Sequence, residues 1–276
     1  MNARPYRTAA TVLGAALLLS ACGGGDSGDD ATADGGSDSG SDLGLVSEGT
    51  LTACSEVPYP PFEVEDPDAP SGYSGFDIDL LQAIADGLEL DLVVEDVSFD
   101  ALQSGTVLAA GQCDVGASAI TITEERAENI DFADPYYDSL QSLLASADSG
   151  ITSIDDLAGK TVGVQAGTTG LNYTRENAPE GTEIVEYPGD GELWPALQAG
   201  QIDAILQDLP VNVEHATADD TYVIVEEYPT DEQYGFALAK GERPELLEAI
   251  NAELAELRDN GEYDRIYDSY FTADAS

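Results

Sequence analysis

The chain has 276 residues, of which 55 are Asp or Glu and only 9 are Lys or Arg, so its formal net charge is −46. So acidic a chain repels phosphate groups and lacks a basic stripe, which argues against nucleic acid and against an anionic membrane surface as partners. Hydrophobic residues make up 42% of the chain, which is enough for one large domain or two smaller ones.

The acidic residues are spread along the chain rather than gathered in a tail, and Lys occurs only at Lys160 and Lys240. At low salt, repulsion between so many carboxylates destabilises a compact state. At about 1 M salt the Debye length is roughly 3 Å, so this repulsion is screened. The composition therefore predicts a protein adapted to a salty exterior.

The N-terminus has the pattern of an export signal. Residues 1–21 combine Arg4 and Arg7 with an apolar run at 9–19 that is too short for a comfortable membrane span. The run ends in Leu-Ser-Ala before Cys22, which resembles the lipobox of bacterial lipoproteins and implies cleavage before Cys22 and a lipid on its sulfur. The alternative is ordinary secretion with an incidental Cys. Residues 22–45 are dominated by Gly, Ser and Asp, which predicts a disordered acidic tether.

Two further cysteines, Cys54 and Cys113, form an even pair in an exported chain, which favours a disulfide; two buried free thiols are the alternative. A metal site is not expected, because His215 is the one His of the sequence and no CxxC pair occurs. No phosphate-binding loop of the GxxxxGK type is present, and the sequence gives no sign of a cofactor.

The body of the chain alternates predicted strands and helices. In the first half, apolar periodicity predicts strands at 51–56, 92–97 and 114–117, helices at 77–88 and 99–110, and a helical turn from Thr123 to Arg126. The pattern then restarts, with an extended segment at 139–145, a capped turn at 153–157, strands at 161–164, 183–187, 204–206, 222–225 and 235–239, and helices at 169–177, 192–199, 210–216 and 244–260. Such alternation predicts mostly parallel sheets covered by helices, in two lobes with a ligand cleft between them.

Residues 75–80 (GFDIDL) resemble the signature of the bacterial extracellular solute-binding proteins, family 3, the receptors of polar amino-acid uptake by ABC transporters. Further segments match this family in the same order, namely 58–63 (PYPPFE), 114–126, 131–137 (DFADPYY), 162–169 (VGVQAGTT) and 200–208. The resemblance runs from about residue 47 to 272. It implies an α/β, two-lobed fold of the type II periplasmic-binding-protein kind, with lobe 1 at 46–138 plus 235–276, lobe 2 at 143–229, and hinge crossovers at 139–142 and 230–234.

The resemblance also implies a clamp for the two charged groups of a free amino acid. Arg126, the one Arg of the first α/β unit, would hold the carboxylate in two parallel hydrogen bonds, helped by Thr121. Thr168 and Thr169 stand at a predicted helix N-terminus, which also favours an anion. Asp208 would receive the ammonium.

Arg126 and Asp208 also have possible structural roles that involve no ligand. Arg126 could form a salt bridge with Glu124 or Glu128, and Asp208 could cap the helix that follows it.

By position in the resemblance, the ligand side chain would meet six residues. These are Glu56, Tyr59, Phe99, Ser118, Ala119 and Gln165. Tyr59 and Phe99 would be aromatic walls, with core packing as the alternative. Glu56 and Gln165 suit a polar or cationic side chain such as that of glutamine, arginine, lysine or histidine, whereas an acidic ligand would need a second cation, for which Arg175 is the nearby candidate.

Other large or titratable side chains have plainer predicted roles. Phe62 is expected in the core, Trp194 in packing, and His215 on the surface of its helix.

The resemblance implies a monomeric receptor outside the cytoplasm that closes its lobes on a free amino acid and then docks on a membrane permease. It would be held at the outer face of the membrane by the lipid on Cys22, and it would not be an enzyme. The alternative is a dehydratase-like enzyme for small cyclic acids on the same scaffold, with Glu56 as its general acid or base. A sensor ectodomain or a fused cell-wall lyase is disfavoured, because no membrane span or extra domain follows the predicted body.

Overall fold

The computed structural model describes residues 43–272, and in it the predicted alternation becomes two five-stranded sheets covered by helices. The predicted leader, Cys22 and most of the predicted tether lie outside the described residues. No helix within 43–272 has the length and apolar character needed to cross a membrane.

Twelve strands and nine helices follow one another along the described chain. The strands are β1 (Thr50–Ser55), β2 (Val64–Glu65), β3 (Tyr73–Ser74), β4 (Asp91–Asp96), β5 (Val115–Gly116), β6 (Ile130–Phe132), β7 (Tyr137–Ser146), β8 (Thr161–Gln165), β9 (Glu183–Tyr187), β10 (Ala204–Asp208), β11 (Tyr222–Tyr234) and β12 (Ala237–Ala239). The helices are α1 (Phe76–Gly87), α2 (Phe99–Gln103), α3 (Thr106–Ala109), α4 (Glu124–Ala127), α5 (Thr169–Asn177), α6 (Asp190–Gln198), α7 (Leu209–Ala218), α8 (Pro244–Asn260) and α9 (Glu262–Phe271), with a 3₁₀ turn at Ile154–Leu157.

Each sheet is mostly parallel. The first has the order β4-β1-β5-β12-β6, and the second has the order β11-β7-β10-β8-β9. Only β12 in the first sheet and β7 in the second run against their four companions. We call the part built on the first sheet lobe one and the part built on the second sheet lobe two. This is the two-lobed α/β fold that the sequence predicted.

A two-stranded ribbon connects the lobes. Strands β7 and β11 pair antiparallel from Tyr222↔Ser146 to Tyr234↔Tyr137, and the register shifts between Tyr228 and Glu232. Asp231, inside this bulge, has a φ of 52°. The predicted strand at 222–225 was therefore too short: residues 226–234 lack apolar alternation and contain a Pro, and their pairing comes from the partner strand rather than from their own pattern.

Other boundaries also differ from the sequence prediction. The predicted helix at 99–110 is two short helices, α2 and α3, because Gly105 between them has the left-handed φ of 77° and interrupts the helical backbone. Helix α9 was not predicted, since Gly261 ends α8 and the chain then restarts as a helix. The predicted tether reached residue 45, yet Leu43 and Leu45 pack against the core of lobe one, because these two apolar side chains gain by leaving water.

The core of lobe one holds the loop that carries Tyr59. Phe62 is fully buried, as predicted, and its ring meets those of Phe76 and Phe271 at centroid distances of 6.3 and 5.7 Å. The predicted disulfide between Cys54 and Cys113 is present and ties β1 to the segment before β5. Two chain segments that lead toward the cleft, 56–63 and 117–121, are thus fixed to one core.

Candidate functional site

One cavity lies between the lobes, where the segments after β1, β5, β8 and β10 meet. It is lined by Glu56, Tyr59, Phe99, Ser118, Ala119, Thr121, Arg126, Gln165, Thr168, Thr169 and Asp208. The structure brings together every residue that the sequence nominated for the ligand, at the carboxyl ends of parallel strands where α/β sheets bind ligands.

Arg126 is the cation of the cavity wall. It stands in the first turn of α4, where the Thr123 hydroxyl accepts a hydrogen bond from its backbone N–H at 3.1 Å. The residue is 6% exposed, Nη1 donates to the Thr121 carbonyl at 2.8 Å, and Nη2 donates to the Gly167 carbonyl at 3.0 Å. Its Cζ lies 5.3 Å from the centroid of the Phe99 ring. Since Gly167 belongs to lobe two, this guanidinium touches both lobes.

These donors reach two carbonyl groups, not Glu124 or Glu128, so the predicted alternative of a local salt bridge does not describe Arg126. Burial lowers the pKa of Arg126, and the Asp208 and Glu232 carboxylates oppose that shift. The guanidinium remains charged, because arginine does not lose its proton in proteins. A planar cation in this position can receive a carboxylate.

Asp208 is the facing anion, delivered by the end of β10. The Tyr59 hydroxyl donates to Oδ2 at 2.8 Å, and the Gln141 amide donates to Oδ1 at 2.5 Å. Asp208 occupies the N-cap position of α7, but its side chain makes no capping hydrogen bond. Burial raises the pKa of Asp208 to about 6, and the Glu232 carboxylate adds to the rise. A cation beside it would restore the charged form.

Gln141 and Glu232 are two polar residues at the site that the sequence did not nominate. Glu232 Oε2 accepts hydrogen bonds from the Thr121 and Thr169 hydroxyls, both at 2.9 Å, and the Gln141 amide lies 3.2 Å from both Glu232 oxygens. Glu232 directly follows the bulge in β11, and bulges re-aim side chains. The signal that could have found both residues is a polar side chain inside a predicted crossover segment.

The other end of the cavity is acidic. The Gln165 amide of lobe two donates to Glu56 Oε2 of lobe one at 2.6 Å. Burial raises the pKa of Glu56 to about 7; the Gln165 hydrogen bond lowers it, and the nearby carboxylates of Asp190, Asp96 and Glu192 raise it further. A cationic group placed here would relieve that repulsion.

The remaining wall residues are held by local hydrogen bonds. Thr168 caps α5 by accepting the Leu171 N–H at 3.1 Å, and Ser118 accepts the backbone N–H of Glu56 at 3.2 Å. Tyr59 is 6% exposed, so its ring is a wall of the cavity and also part of the lobe-one core. The two predicted alternatives for Tyr59 therefore both apply.

Behind the wall, two buried carboxyl groups support the segment 117–121. Asp77 Oδ2 accepts the Ala119 N–H at 2.9 Å and the Tyr136 hydroxyl at 2.6 Å. Ala119 has a φ of 45°, a left-handed conformation that an Ala side chain disfavours and that this hydrogen bond helps to hold. Glu63 is fully buried, neither of its oxygens has a donor, and its carboxyl faces that of Asp77. A proton shared between the two carboxyl groups satisfies both.

Glu63→Gln is expected to raise the free energy of unfolding by about 1–3 kcal/mol at about pH 8 and to change it little at about pH 4.5. Burial raises the pKa of Glu63, and it raises that of Asp77 to about 6. The folded state therefore holds protons that the unfolded chain releases above about pH 4, and stability falls as the pH rises through this window. An amide at position 63 can donate to Asp77 without a proton to lose.

Urea unfolding at both pH values in high salt measures the effect. Glu65→Gln, at an exposed site two residues away, is the matched control and is expected to show no such pH dependence. A Glu63→Gln protein that is less stable than wild type at about pH 8 would contradict the shared proton.

His215 does not lie where the sequence predicted. It is 4% exposed rather than on the surface, its Nε2 lies 2.8 Å from Asp190 Oδ1, and its ring stacks on Trp194 with centroids 4.3 Å apart. The prediction was wrong because this face of α7 packs onto sheet two. Arg175 is exposed and pairs with Glu186, so it does not supply a second cation to the cavity.

Residues 51–273 match the family model of the bacterial extracellular solute-binding proteins, family 3. The chain belongs to this family. The arginine-binding extracellular protein of Bacillus subtilis (strain 168) is 33% identical to this family 3 protein over 258 residues, which cover 93% of each chain. The ABC transporter glutamine-binding protein of the same organism is 35% identical over 204 residues, covering 72% of this chain and 73% of the relative.

Solved structures of the family share the fold. An ancestral arginine-binding protein bound to glutamine superposes with a TM-score of 0.75 at 35% identity, covering 82% of this chain and 99% of the other. An ancestral amino acid-binding protein, a precursor of cyclohexadienyl dehydratase, gives a TM-score of 0.73 at 34% identity, covering 81% and 96%. The relatives of this family 3 protein are thus amino-acid-binding proteins, and some of them are named for ABC transporters.

Proposed function

We propose that this protein binds one free amino acid with a basic or amide side chain between its lobes and delivers it to an ABC-type permease. One observation carries the proposal: Arg126 from lobe one and Asp208 from lobe two line the same cavity. A free amino acid presents a carboxylate and an ammonium a few bonds apart. The two buried groups of opposite charge are complementary to that zwitterion.

The charges around the cavity favour a basic side chain within this class. One cation, Arg126, stands among three carboxyl groups, Asp208, Glu232 and Glu56. A zwitterion alone adds no net charge and leaves Glu56 without a cationic partner. A ligand such as arginine adds a positive charge, which would lie beside Glu56 and its acidic neighbours. Buried charges need such a partner because the low dielectric makes an unpaired charge costly.

Capture would proceed by closure of the lobes on the ribbon of β7 and β11. Hydrogen bonds already cross the cleft from Tyr59 to Asp208, from Arg126 to Gly167, and from Gln165 to Glu56. A ligand held by groups of both lobes stabilises the closed form by the contacts that it makes only there.

The predicted leader and Cys22 support a location at the outer face of the cell membrane, with a lipid as the anchor. In this proposal the acidic tether gives the receptor reach toward its permease. Cys22→Ser is expected to move the protein from the membrane fraction to the medium in the producing cell. An unchanged membrane fraction would remove the lipid anchor from the proposal.

Thermal unfolding in about 1 M salt, scanned against the common amino acids, tests the binding function. A ligand at about 1,000 times its Kd adds roughly 4 kcal/mol, which raises the midpoint by about 10 °C in a chain of this size. We expect such a shift from one or a few basic or amide amino acids. If aspartate or glutamate gave the largest shift, the proposed basic or amide ligand would be wrong. If no amino acid gave a shift, the proposed amino-acid binding would be wrong.

A second candidate function, elimination chemistry on a small cyclic acid, has one observation in its favour. Glu56 is a partly buried cavity carboxyl with a pKa raised to about 7, the range expected of a general acid or base. The paired Arg126 and Asp208 fit a zwitterion better than a cyclic acid. Product formation from a cyclic acid, lost in Glu56→Gln, would favour the enzyme.

A further inference from the structure

Lobe two contains a buried contact between an imidazole and a carboxylate, His215 and Asp190, that lies outside the cavity lining. His215 Nε2 lies 2.8 Å from Asp190 Oδ1, and the two side chains are 6% and 4% exposed. The Gln207 amide donates to the same Asp190 oxygen at 3.0 Å, and the Trp194 ring covers the imidazole with centroids 4.3 Å apart. This arrangement encloses the sequence's one His with a single carboxylate partner.

The pair is adjacent to the acidic end of the cavity. Asp190 begins α6 and follows Gly189, where a Cβ atom would lie only 2.3 Å from Glu56 Oε1. The backbone next to Asp190 therefore touches the carboxyl group that would meet the ligand side chain. Gln207, which donates to Asp190, directly precedes Asp208 in β10. The carboxylate of Asp190 therefore acts electrostatically on the cavity, where it is one of the acids that raise the pKa of Glu56.

We infer that Asp190 is a specificity-determining charge for the side chain of the bound amino acid. The inference rests on the proposed amino-acid binding. The carboxylate charge of Asp190 attracts a cationic side chain near Glu56. Salt screens such a buried interaction much less than a surface one.

Arginine and citrulline form the matched probe pair, because they have similar length and shape and differ in the charge of the terminal group. Calorimetry on the folded protein in about 1 M salt measures the affinity for each probe. A loss of affinity that is larger for arginine than for citrulline reports the charge of Asp190 rather than the shape of the site.

Three variants separate the charge of Asp190 from the packing around it. His215→Gln keeps a donor toward Asp190 and leaves the carboxylate in place, so the ratio of arginine affinity to citrulline affinity should stay as in wild type. Asp190→Asn should weaken arginine by about tenfold and citrulline by no more than about twofold. Asp203→Asn removes an exposed carboxylate before the opposite end of β10 and should change neither affinity.

The outcomes distinguish this inference from the proposed function. If arginine binds to the wild-type protein while folded Asp190→Asn loses no more affinity for arginine than for citrulline, the inference is overturned and the receptor function stands. If neither arginine nor citrulline binds to the folded protein, the proposed ligand class fails and this inference fails with it.

Discussion

Arg126→Ala is expected to lower the affinity for the bound amino acid by about 30-fold to several thousand-fold. Removing one partner of a buried, hydrogen-bonded charge pair costs about 2–5 kcal/mol, because the other charge is left without a partner. In Arg126→Ala the unpaired charge would be the ligand carboxylate, in a cleft that already contains three carboxyl groups. No other Arg or Lys side chain lines the cavity to replace it.

Calorimetry with the amino acid identified by the thermal scan measures this loss in about 1 M salt. Arg126→Lys keeps the charge but not the planar fork, so we expect an intermediate affinity. Arg175→Ala, which removes an exposed Arg paired with Glu186, is the matched control and should bind as wild type does. Folded Arg126→Ala protein with wild-type affinity would remove Arg126 from the proposed site.

The sequence predicted the cavity wall well because each wall residue has a strong local reason for its place. Arg126 and Thr168 stand at helix starts marked by capping Thr residues, and Gln165 and Asp208 end strands that alternation and spacing reveal. Once the chain alternates strand and helix, the carboxyl ends of its strands must meet at one edge. The matched segments of the family then gave the order in which these ends appear.

Gln141 and Glu232 could not be predicted in this way, since their position depends on two strands that travel together between the lobes. Their side chains meet because β7 pairs with β11 across about 90 residues of intervening chain and because a bulge turns Glu232 toward the cleft. Neither the long-range register nor the bulge has a local sequence signal. His215 shows the same limit, since its face of α7 packs onto sheet two and its imidazole pairs with Asp190 of another helix.

The structure explains the family signature at 75–80 as a support for the cavity wall. No residue of this segment lines the cavity. Asp77 holds Ala119 in the wall through its N–H. Gly75 lies against the loop that carries Tyr59, where the Asp77 N–H donates to the Phe62 carbonyl. The signature therefore fixes two wall segments onto the start of one helix.

Gly75→Ala is expected to destabilise the protein by about 4 kcal/mol or more, beyond the range of ordinary substitutions. Gly75 has φ 125° and ψ 167°, a region essentially reserved for glycine. A Cβ there would lie 2.1 Å from the Phe62 carbonyl oxygen and 2.5 Å from its carbon. These are backbone atoms of a buried loop, so no flexible side chain can move aside, and the loop with Tyr59 would have to shift.

Gly72→Ala separates this clash from backbone strain alone. Gly72 also has a positive φ, 81°, but nothing lies within 4 Å of its Cβ position. We expect it to cost about 1–2 kcal/mol, the usual penalty of a left-handed conformation for a residue with a side chain. Urea unfolding compares the two variants, and calorimetry on whatever Gly75→Ala protein folds should show weakened amino-acid binding. Equal destabilisation by both substitutions would mean that the loop with Tyr59 shifts easily to make room for the Cβ atom. Gly75 would then be required for its φ angle and not for the support of Tyr59.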